Sequence, residues 1–467
     1  MRSGIILSQL TLSRPWARFR YRLGEVRWAR AIRSGLRPAA ERNLTERNIR
    51  YLYIEVFWAA LFSAVFSFNT TYVLRLGATN QMVGLLSSLP SLFAVFLMVP
   101  SARFLETKSN RGPWLHAGLF IGRLVFWGMV LIPWLVKSHQ AEWLVALLIL
   151  RTIPITFFNT GFSPLMADVV PERRRAHVFS TRSIISSATV AAATFAAGLW
   201  LDAASSRGWA PFPLNYQIVY IVGSIGALTS ALFVSRVKGP PTPVLPREPR
   251  PARERLNLRA SLTTFRKELS TNRAFARLIL NTLFLNLGAW VAMPLYTILY
   301  VRRLGASDGW IGLNSTLANV GVIAGYALFR RVINRWGDSR TLLLTVLPAA
   351  TFPLLVGLFP DLRLILVWQV VLNFLASGLN LSHTNIFYKS CPQERRASYM
   401  AIYSTVINVG AFVCPMIGVA LAELIDLRWV IVGGGVARLL GAAMFLVLPV
   451  DVEDAHAPKE DVHDDQE

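Results

Sequence analysis

The chain has 467 residues, of which 54% are hydrophobic and only 16% are charged. Soluble globular proteins contain about 25% charged residues, so this composition excludes a protein that folds entirely in water. The net charge of +22 is compatible with nucleic-acid binding, and the positions of the basic residues test that interpretation.

Twelve apolar runs follow one another along the chain. Runs of about 18 or more apolar residues with few charges are candidate membrane spans. A helix is the element that such a run forms, because it closes its own backbone hydrogen bonds in lipid. The fold class predicted is therefore all-α and polytopic, with 12 transmembrane helices. The runs are residues 50–74, 80–102, 114–136, 143–166, 182–203, 216–236, 275–300, 309–330, 341–360, 363–388, 399–422 and 429–450.

The basic residues are distributed unevenly across the predicted membrane. If the N-terminus is cytoplasmic, the cytoplasmic segments carry 37 of the Lys and Arg residues and the outer loops carry 7. Cytoplasmic loops are enriched in Lys and Arg, so the asymmetry predicts a multi-pass protein of the cell (inner) membrane with both termini cytoplasmic. The positive charge is therefore explained by membrane topology. We expect a lipid bilayer as a partner and no nucleic acid.

The spans group into two sets of six. Residues 1–48 form a basic segment, for which an amphipathic surface helix, a solvated tail and a transit peptide remain open. Residues 49–236 are predicted as the N-terminal six-helix bundle and 275–450 as the C-terminal one. Residues 237–274 read as a cytoplasmic Pro/Arg-rich linker, and 451–467 as an acidic cytoplasmic tail.

The second set of spans repeats the first in sequence. Residues 72–91 and 300–319 are identical at ten of twenty positions, at an offset of 228. Residues 171–176 match 392–397 at an offset of 221. Two copies of this length exceed any solenoid period. The sequence therefore predicts two pseudo-symmetric six-helix bundles.

The loops after the second and eighth spans carry related polar residues, namely Glu106 and Arg111 in the first copy and Asn334, Arg335 and Gly337 in the second. Together with the six-plus-six plan, they resemble the major facilitator superfamily of secondary transporters, whose signature there is Gly-x-x-x-Asp-Arg-x-Gly-Arg-Arg. The first copy lacks the Asp-Arg pair and the glycine. The resemblance implies a gating role for these loops and transport by alternating access at a midplane site.

Polar side chains repeat along the fourth and tenth spans. In the tenth span they recur every three or four residues, which places them on one helix face. In transporters that this chain resembles, both spans line a central cavity, although Ser, Thr and Asn side chains also join helices. The predicted substrate-binding residues are Arg151, Thr156, Asn159, Asn373, Ser377, Asn380 and His383.

Arg151 lies in the middle of the fourth span, at the position of the Arg in the family motif Leu-x-x-x-Arg. A buried Arg almost always has a partner. We expect Glu55, helix carbonyls or an anionic substrate beside it, and structural pairing and a substrate role remain equally open.

Glu55 is the acidic residue that lies clearly within a span, and it is the candidate for proton coupling, which needs a carboxyl whose pKa the cavity can shift. Its alternative role is an ion pair with Arg50 or a place at the interface. His383 is a second proton carrier or a packing residue.

The predicted function is secondary active transport of a small solute through a cavity between the two bundles. A drug or metabolite efflux pump of the same fold, and a non-transporting receptor or assembly factor on this scaffold, remain alternatives. The sequence has no His-Glu-x-x-His, Gly-x-Ser-x-Gly or phosphate-binding loop, so we expect no enzyme activity, no cofactor and no metal site. The expected partners are a small-molecule substrate and, where transport is coupled, a proton or ion, and we expect a monomer.

Overall fold

The structure is a computed structural model, and it describes residues 44–239, 272–391 and 396–450. The predictions for the acidic tail, for most of the linker and for nearly all of the basic N-terminal segment lie outside the described residues.

The described residues contain twelve helices long and apolar enough to cross a bilayer, which confirms the predicted number of spans. They are numbered here as spans 1 to 12. The first half contains Leu44–Arg75, Asn80–Leu105, Gly112–Leu135, Gln140–Met166, His177–Ser206 and Leu214–Ser235. The second half contains Arg273–Arg303, Asp308–Trp336, Asp338–Leu358, Leu362–Ser390, Tyr399–Leu424 and Leu427–Val447.

Three spans deviate from a single α-helix. Span 1 consists of Leu44–Phe66 and Asn69–Arg75. Ser67 lies in the break between them, and its hydroxyl donates to the Ser63 carbonyl one turn earlier, a contact that bends helices. Span 9 consists of Asp338–Ala350 and Phe352–Leu358, because Pro353 has no N–H to donate to the Ala349 carbonyl and its ring crowds that carbonyl. Span 7 ends in a π turn at Leu299–Arg303.

The two ends of the bundle are named by what they carry. Residues 44, 239, 272 and 450, where the described halves begin and end, all lie at one end, called the linker end here. The opposite end, which carries the short loops after spans 1, 5, 7 and 11, is called the distal end. The orientation predicted from the basic residues places the distal end outside the cell.

The halves pack their interiors in different ways. In the first half, aromatic rings stack, with Tyr72 on Tyr216 at 4.7 Å and Phe126 on Tyr220 at 5.3 Å between ring centroids. In the second half, glycines let helix backbones approach closely. A Cβ added to Gly288 of span 7 would lie 2.0 Å from the Gly434 carbonyl oxygen of span 12.

Two pairs of spans hold the halves together. Spans 2 and 11 pack against each other, and so do spans 5 and 8. At the second contact, Gly198 and Gly312 face each other so closely that a Cβ on Gly198 would lie 3.1 Å from the Gly312 Cα. The surface between the two halves is called the seam below.

Candidate substrate site at the seam

Asn159 of span 4 and Asn380 of span 10 occupy equivalent positions in the two copies. Both are exposed, and neither side-chain amide has a hydrogen bond within the described part of the chain. Thr156, one turn before Asn159, is half-buried and its carbonyl accepts from Thr160 at 2.8 Å. Asn373 is half-buried too, and its amide donates to the Gln369 carbonyl at 2.7 Å. The two exposed amides are therefore the members of the stripes that remain open to a ligand.

Ser377 and His383 differ from the rest of the predicted site. Ser377 is 1% exposed, and its hydroxyl contacts the Val322 carbonyl of span 8 at 3.2 Å. His383 Nε2 bonds the Thr282 hydroxyl of span 7 at 2.7 Å. Both side chains face neighbouring helices of their own half. The structure therefore uses both side chains for packing within the second half.

The reason is a close approach of span 8 that the spacing of span 10 does not reveal. A Cβ on Gly325 would lie 2.7 Å from Ser377 Oγ. Because Gly325 has no side chain, the backbone of span 8 packs directly over one edge of the polar stripe. The sequence predicted that the whole stripe lines a cavity, whereas this part of it packs against a helix.

Arg151 is buried in the middle of span 4, with 9% of the residue exposed. Its guanidinium carbon lies 5.0 Å from the ring centroid of Phe62 and 4.6 Å from that of Phe66. Arg123 of span 3 lies 4.0 Å from the same Phe62 ring and is 7% exposed. Arg123 is not among the predicted substrate-binding residues.

Glu55 has a partner that the sequence did not identify. Its carboxylate forms an ion pair with Arg182 Nη1 of span 5 at 2.8 Å and accepts from the Ser230 hydroxyl of span 6 at 3.2 Å. The partner is thus Arg182 and not Arg151, and the pair joins three helices of the first half. A signal existed in the sequence, because Arg182 begins the apolar run of span 5.

The halves are bonded to each other at the distal end. The Asp308 carboxylate of span 8 accepts from Arg75 Nε at 3.0 Å and from the Tyr216 hydroxyl at 2.5 Å. In the reverse direction, Arg302 in the last turn of span 7 donates to Asn80 at the start of span 2 at 2.6 Å. Asn80 and Asp308 are equivalent at the offset of 228, so the contacts form a nearly symmetric exchange. The repeated Arg-Leu-Gly-Ala segments are the sequence signal for this closure.

Further contacts extend the closure toward the middle of the seam. The hydroxyls of Thr194 and Thr316 lie 3.3 Å apart, and Thr316 also donates to the Ala191 carbonyl at 2.9 Å. Nearer the linker end, Ser404 Oγ donates to Met98 Sδ across the seam at 3.9 Å. This long contact to sulfur is weak, and no other hydrogen bond joins described side chains of the two halves there. The polar contacts across the seam are therefore concentrated at the distal end.

The loops predicted as gates bond within their own halves. Arg111 Nε donates to the Leu105 carbonyl at 3.1 Å, so it caps span 2. Gly337 has a φ of +80°, a backbone conformation that favours glycine. Asn334 and Arg335 are exposed, and the side chain of Glu106 lies outside the described part.

Asp338, which follows Gly337, is the acidic residue of the second loop. It accepts from Asn385 at 2.8 Å and from Lys389 at 2.6 Å. Both donors are on span 10, so this network also holds the loop within the second half. Arg111 and Asp338 thus each hold a loop within its own half.

A cavity of about 400 Å³ lies at the linker end inside the first half, and Arg111, His116, Asp168 and Lys238 are among its lining residues. None of the seven predicted substrate-binding residues lines it. It is enclosed by one half alone, so a ligand there would not contact both copies. For this reason we place the candidate site at the seam and not in this cavity. Among the described residues, no group of three His, Cys, Asp or Glu side chains is arranged to hold a metal ion.

Comparison with known proteins gives a family and a set of similar folds. The family model described as Major Facilitator Superfamily matches residues 52–310 and 278–464. No functionally curated protein matches the chain significantly in sequence.

Several solved transporter structures are similar in fold. A bacterial homologue of the human lysosomal transporter Spinster, inward-facing and unoccupied, has a TM-score of 0.62 and 15% identity, over 90% of this chain and 100% of that one. An inward-facing bacterial homologue of the iron transporter ferroportin has a TM-score of 0.66 and 13% identity, over 87% and 98%. A POT family transporter bound to a conjugated peptide has a TM-score of 0.65 and 11% identity, over 88% and 97%. At these identities the likeness concerns the fold.

Proposed function

Because the chain belongs to the major facilitator superfamily, we propose for it a transport cycle built on the seam. The protein is a multi-pass membrane protein that moves a small solute by alternating access between its two halves. The observation that carries the cycle is the one-sided closure, in which Asp308, Arg302 and Thr316 bond the first half at the distal end. A rocking motion that breaks these contacts would open the distal end.

The substrate site that we propose combines one charge with neutral polar groups. Arg151 anchors an anionic or strongly polar group, since a guanidinium in a low-dielectric site binds such groups through several hydrogen bonds. Asn159 and Asn380 supply exposed amides from the two halves, and Thr156 and Asn373 lie one or two turns from them. Ser377 and His383, which are bonded to spans 8 and 7, hold span 10 in position behind the site.

Glu55 remains our candidate for proton coupling. Protonation would remove its charge and weaken its ion pair with Arg182, and that pair joins span 1 to span 5. A transport assay with and without a pH gradient tests this role, and Glu55→Gln is expected to abolish any dependence on the gradient.

The surroundings of the site follow from the same family assignment. We propose that the protein is a transporter and not an enzyme, that it works as a monomer in the cell membrane, and that the linker end is cytoplasmic. The excess of Lys and Arg on the linker side supports this orientation. Labelling of single cysteines at positions 110 and 338 from the two sides of the membrane tests it, since both positions are expected on the cytoplasmic face.

A reversible lock at the distal end tests the transport cycle. In a background with Cys391→Ser and Cys414→Ala, the double variant Thr194→Cys with Thr316→Cys brings two thiols together at a contact now 3.3 Å long between hydroxyls. Oxidation to a disulfide should abolish solute exchange by proteoliposomes, and a reductant should restore it, because the distal end must open in each cycle.

The two single-cysteine variants are the matched controls, and oxidation should leave their exchange unchanged. Full exchange by the oxidised double variant, with the disulfide confirmed by mass spectrometry, would show that the distal end does not open during transport.

A further inference from the structure

The first half buries more positive than negative charge in its middle. Arg123, Arg151 and Glu55 are 7%, 9% and 5% exposed, and the Arg182 side chain is 12% exposed. Glu55 is bonded to Arg182 at 2.8 Å. Neither Arg123 nor Arg151 forms an ion pair with a described carboxylate. Glu55 lies close enough to Arg123 to act on its charge, but it is already paired with Arg182. Three largely buried guanidinium groups therefore share one described carboxylate.

Aromatic faces compensate these charges only in part. Arg123 and Arg151 share the Phe62 ring, with guanidinium carbons 4.0 and 5.0 Å from its centroid. Cation–π contacts are worth less than the hydration that a buried charge loses. In addition, Arg123 Nε and Nη1 and Arg151 Nε are buried without a hydrogen-bond partner in the described ranges. Unused buried donors of this kind point to a missing acceptor.

We propose that Arg123 and Arg151 together bind one anionic group with two negative charges, such as a phosphate ester or a dicarboxylate, and that this group belongs to the transported solute. This inference rests on the transport function proposed above. Each guanidinium offers a planar fork of donors that fits carboxylate or phosphate oxygens. A single negative charge would leave one of the two arginines uncompensated.

The position of the pair favours a solute over a lipid headgroup. Arg123 and Arg151 lie near the middle of their spans, well away from the headgroup level at the span ends. Phe66, whose ring stacks under Arg151, is 37% exposed. The Arg151 side of the pair thus borders a part of the surface that the described helices do not cover. Both guanidinium carbons lie within 5.0 Å of the Phe62 ring centroid, so one ligand can reach both.

Thermal unfolding of the purified protein in phosphatidylcholine nanodiscs tests the proposal. The probes are inorganic phosphate and succinate, with chloride and butyrate as singly charged controls at equal ionic strength. A ligand that binds only the folded state raises the Tm. We expect the two doubly charged anions to raise the Tm and the singly charged ones to have little effect.

Three variants locate the effect. Arg123→Gln and Arg151→Gln should each weaken the apparent affinity for the doubly charged anion at least about tenfold, because each removes charged hydrogen bonds. Arg438→Gln removes an arginine from within span 12 of the other half and should leave the affinity unchanged. Without anion, Arg151→Gln should unfold at a Tm no lower than that of the wild type, since it removes an uncompensated buried charge. A purely structural arginine would give the opposite result.

Three outcomes would overturn the proposal. They are the absence of any Tm increase with phosphate or succinate, an equal increase in both Gln variants and the wild type, and a wild-type increase that disappears when phosphatidylglycerol replaces part of the phosphatidylcholine. The last result would assign the pair to a lipid headgroup.

Solute exchange separates this inference from the transport function itself. Suppose that the protein exchanges a neutral or cationic solute, that the Thr194–Thr316 disulfide blocks this exchange, and that Arg123→Gln and Arg151→Gln leave it unchanged. This result would contradict the anion site and support the transport function. Solute exchange that is insensitive to the disulfide would contradict the alternating-access function.

Discussion

The two halves place different chemistry on the same backbone plan. Span 5 of the first half carries Arg182, which is paired with Glu55, whereas its equivalent at the offset of 221 is Tyr403. Span 4 carries Arg151, whereas its equivalent in span 10 is Leu372. The buried carboxylates of the second half, Asp308 and Asp338, lie near the ends of their spans. Span 10 instead carries neutral polar groups, such as the His383 ring that bonds Thr282.

This difference indicates a division of labour between the two copies. A buried charge is costly unless it is compensated, so a half that retains several charges must use them for structure or for a ligand. The neutral polar groups of span 10 can orient a ligand at lower energetic cost. We therefore expect the first half to recognise the charge of the solute and the second half to recognise its shape.

The largest loss of stability is expected on removal of one partner of the buried ion pair in the first half. Arg182→Met leaves Glu55 as an uncompensated buried charge, and should lower the free energy of unfolding by about 3–5 kcal/mol. Chemical unfolding in detergent, followed by Trp fluorescence, measures the loss. The double variant Glu55→Gln with Arg182→Met should regain most of the stability, because no charge remains buried. If the single and double variants are equally unstable, the charge is not the cause.

A smaller effect is expected where the two halves meet. Asp308→Asn weakens the bonds from Arg75 and Tyr216, and should shift the balance toward an open distal end by about 1.5–3 kcal/mol. Faster labelling of a cysteine at position 194 by a membrane-impermeant thiol reagent, in the cysteine-free background, reports the shift. Asp202→Asn is the control, since Asp202 accepts a single hydrogen bond from Ser307 across the seam. Equal labelling rates in Asp308→Asn and the unmodified background would show that this contact does not hold the end closed.

In the second half, the hydrogen bond between Thr282 and His383 should contribute less to stability than the ion pair of the first half. Thr282→Val removes the hydroxyl that lies 2.7 Å from His383 Nε2, and should lower the free energy of unfolding by about 1 kcal/mol. Thr345→Val is the matched control, because the Thr345 hydroxyl bonds only carbonyls of its own helix. A loss at Thr282 as large as that at Arg182 would contradict the difference between the halves.

The smallest effect tests whether burial, and not charge alone, distinguishes the first half. Arg174 and Glu46 form an ion pair whose side chains are 44% and 49% exposed. Exposed pairs contribute about 0–1 kcal/mol, so Arg174→Ala should leave the unfolding midpoint nearly unchanged. Added salt should change the midpoint of this variant little. A loss comparable to that of Arg182→Met would mean that exposed charges stabilise this half as strongly as buried ones.

The candidate site shows how far periodicity reaches. Spacing along spans 4 and 10 predicted a polar face, and of its members Asn159 and Asn380 are exposed. The same spacing placed Ser377 on that face, but span 8 covers it at Gly325. Helix periodicity defines which residues share a face, whereas the neighbouring helix decides which part of the face stays open.

The sequence by itself determined the number of spans, their grouping into two copies and the positions of the charges within them. These properties depend on local composition, because a span must be apolar over the thickness of the bilayer whatever packs beside it. Only the tertiary structure decided that Glu55 pairs with Arg182, that Arg123 joins Arg151 at Phe62, and that the polar contacts across the seam lie mainly at the distal end. Those properties depend on helices that are far apart in the chain, and the energy of a buried polar group depends on which of them supplies its partner.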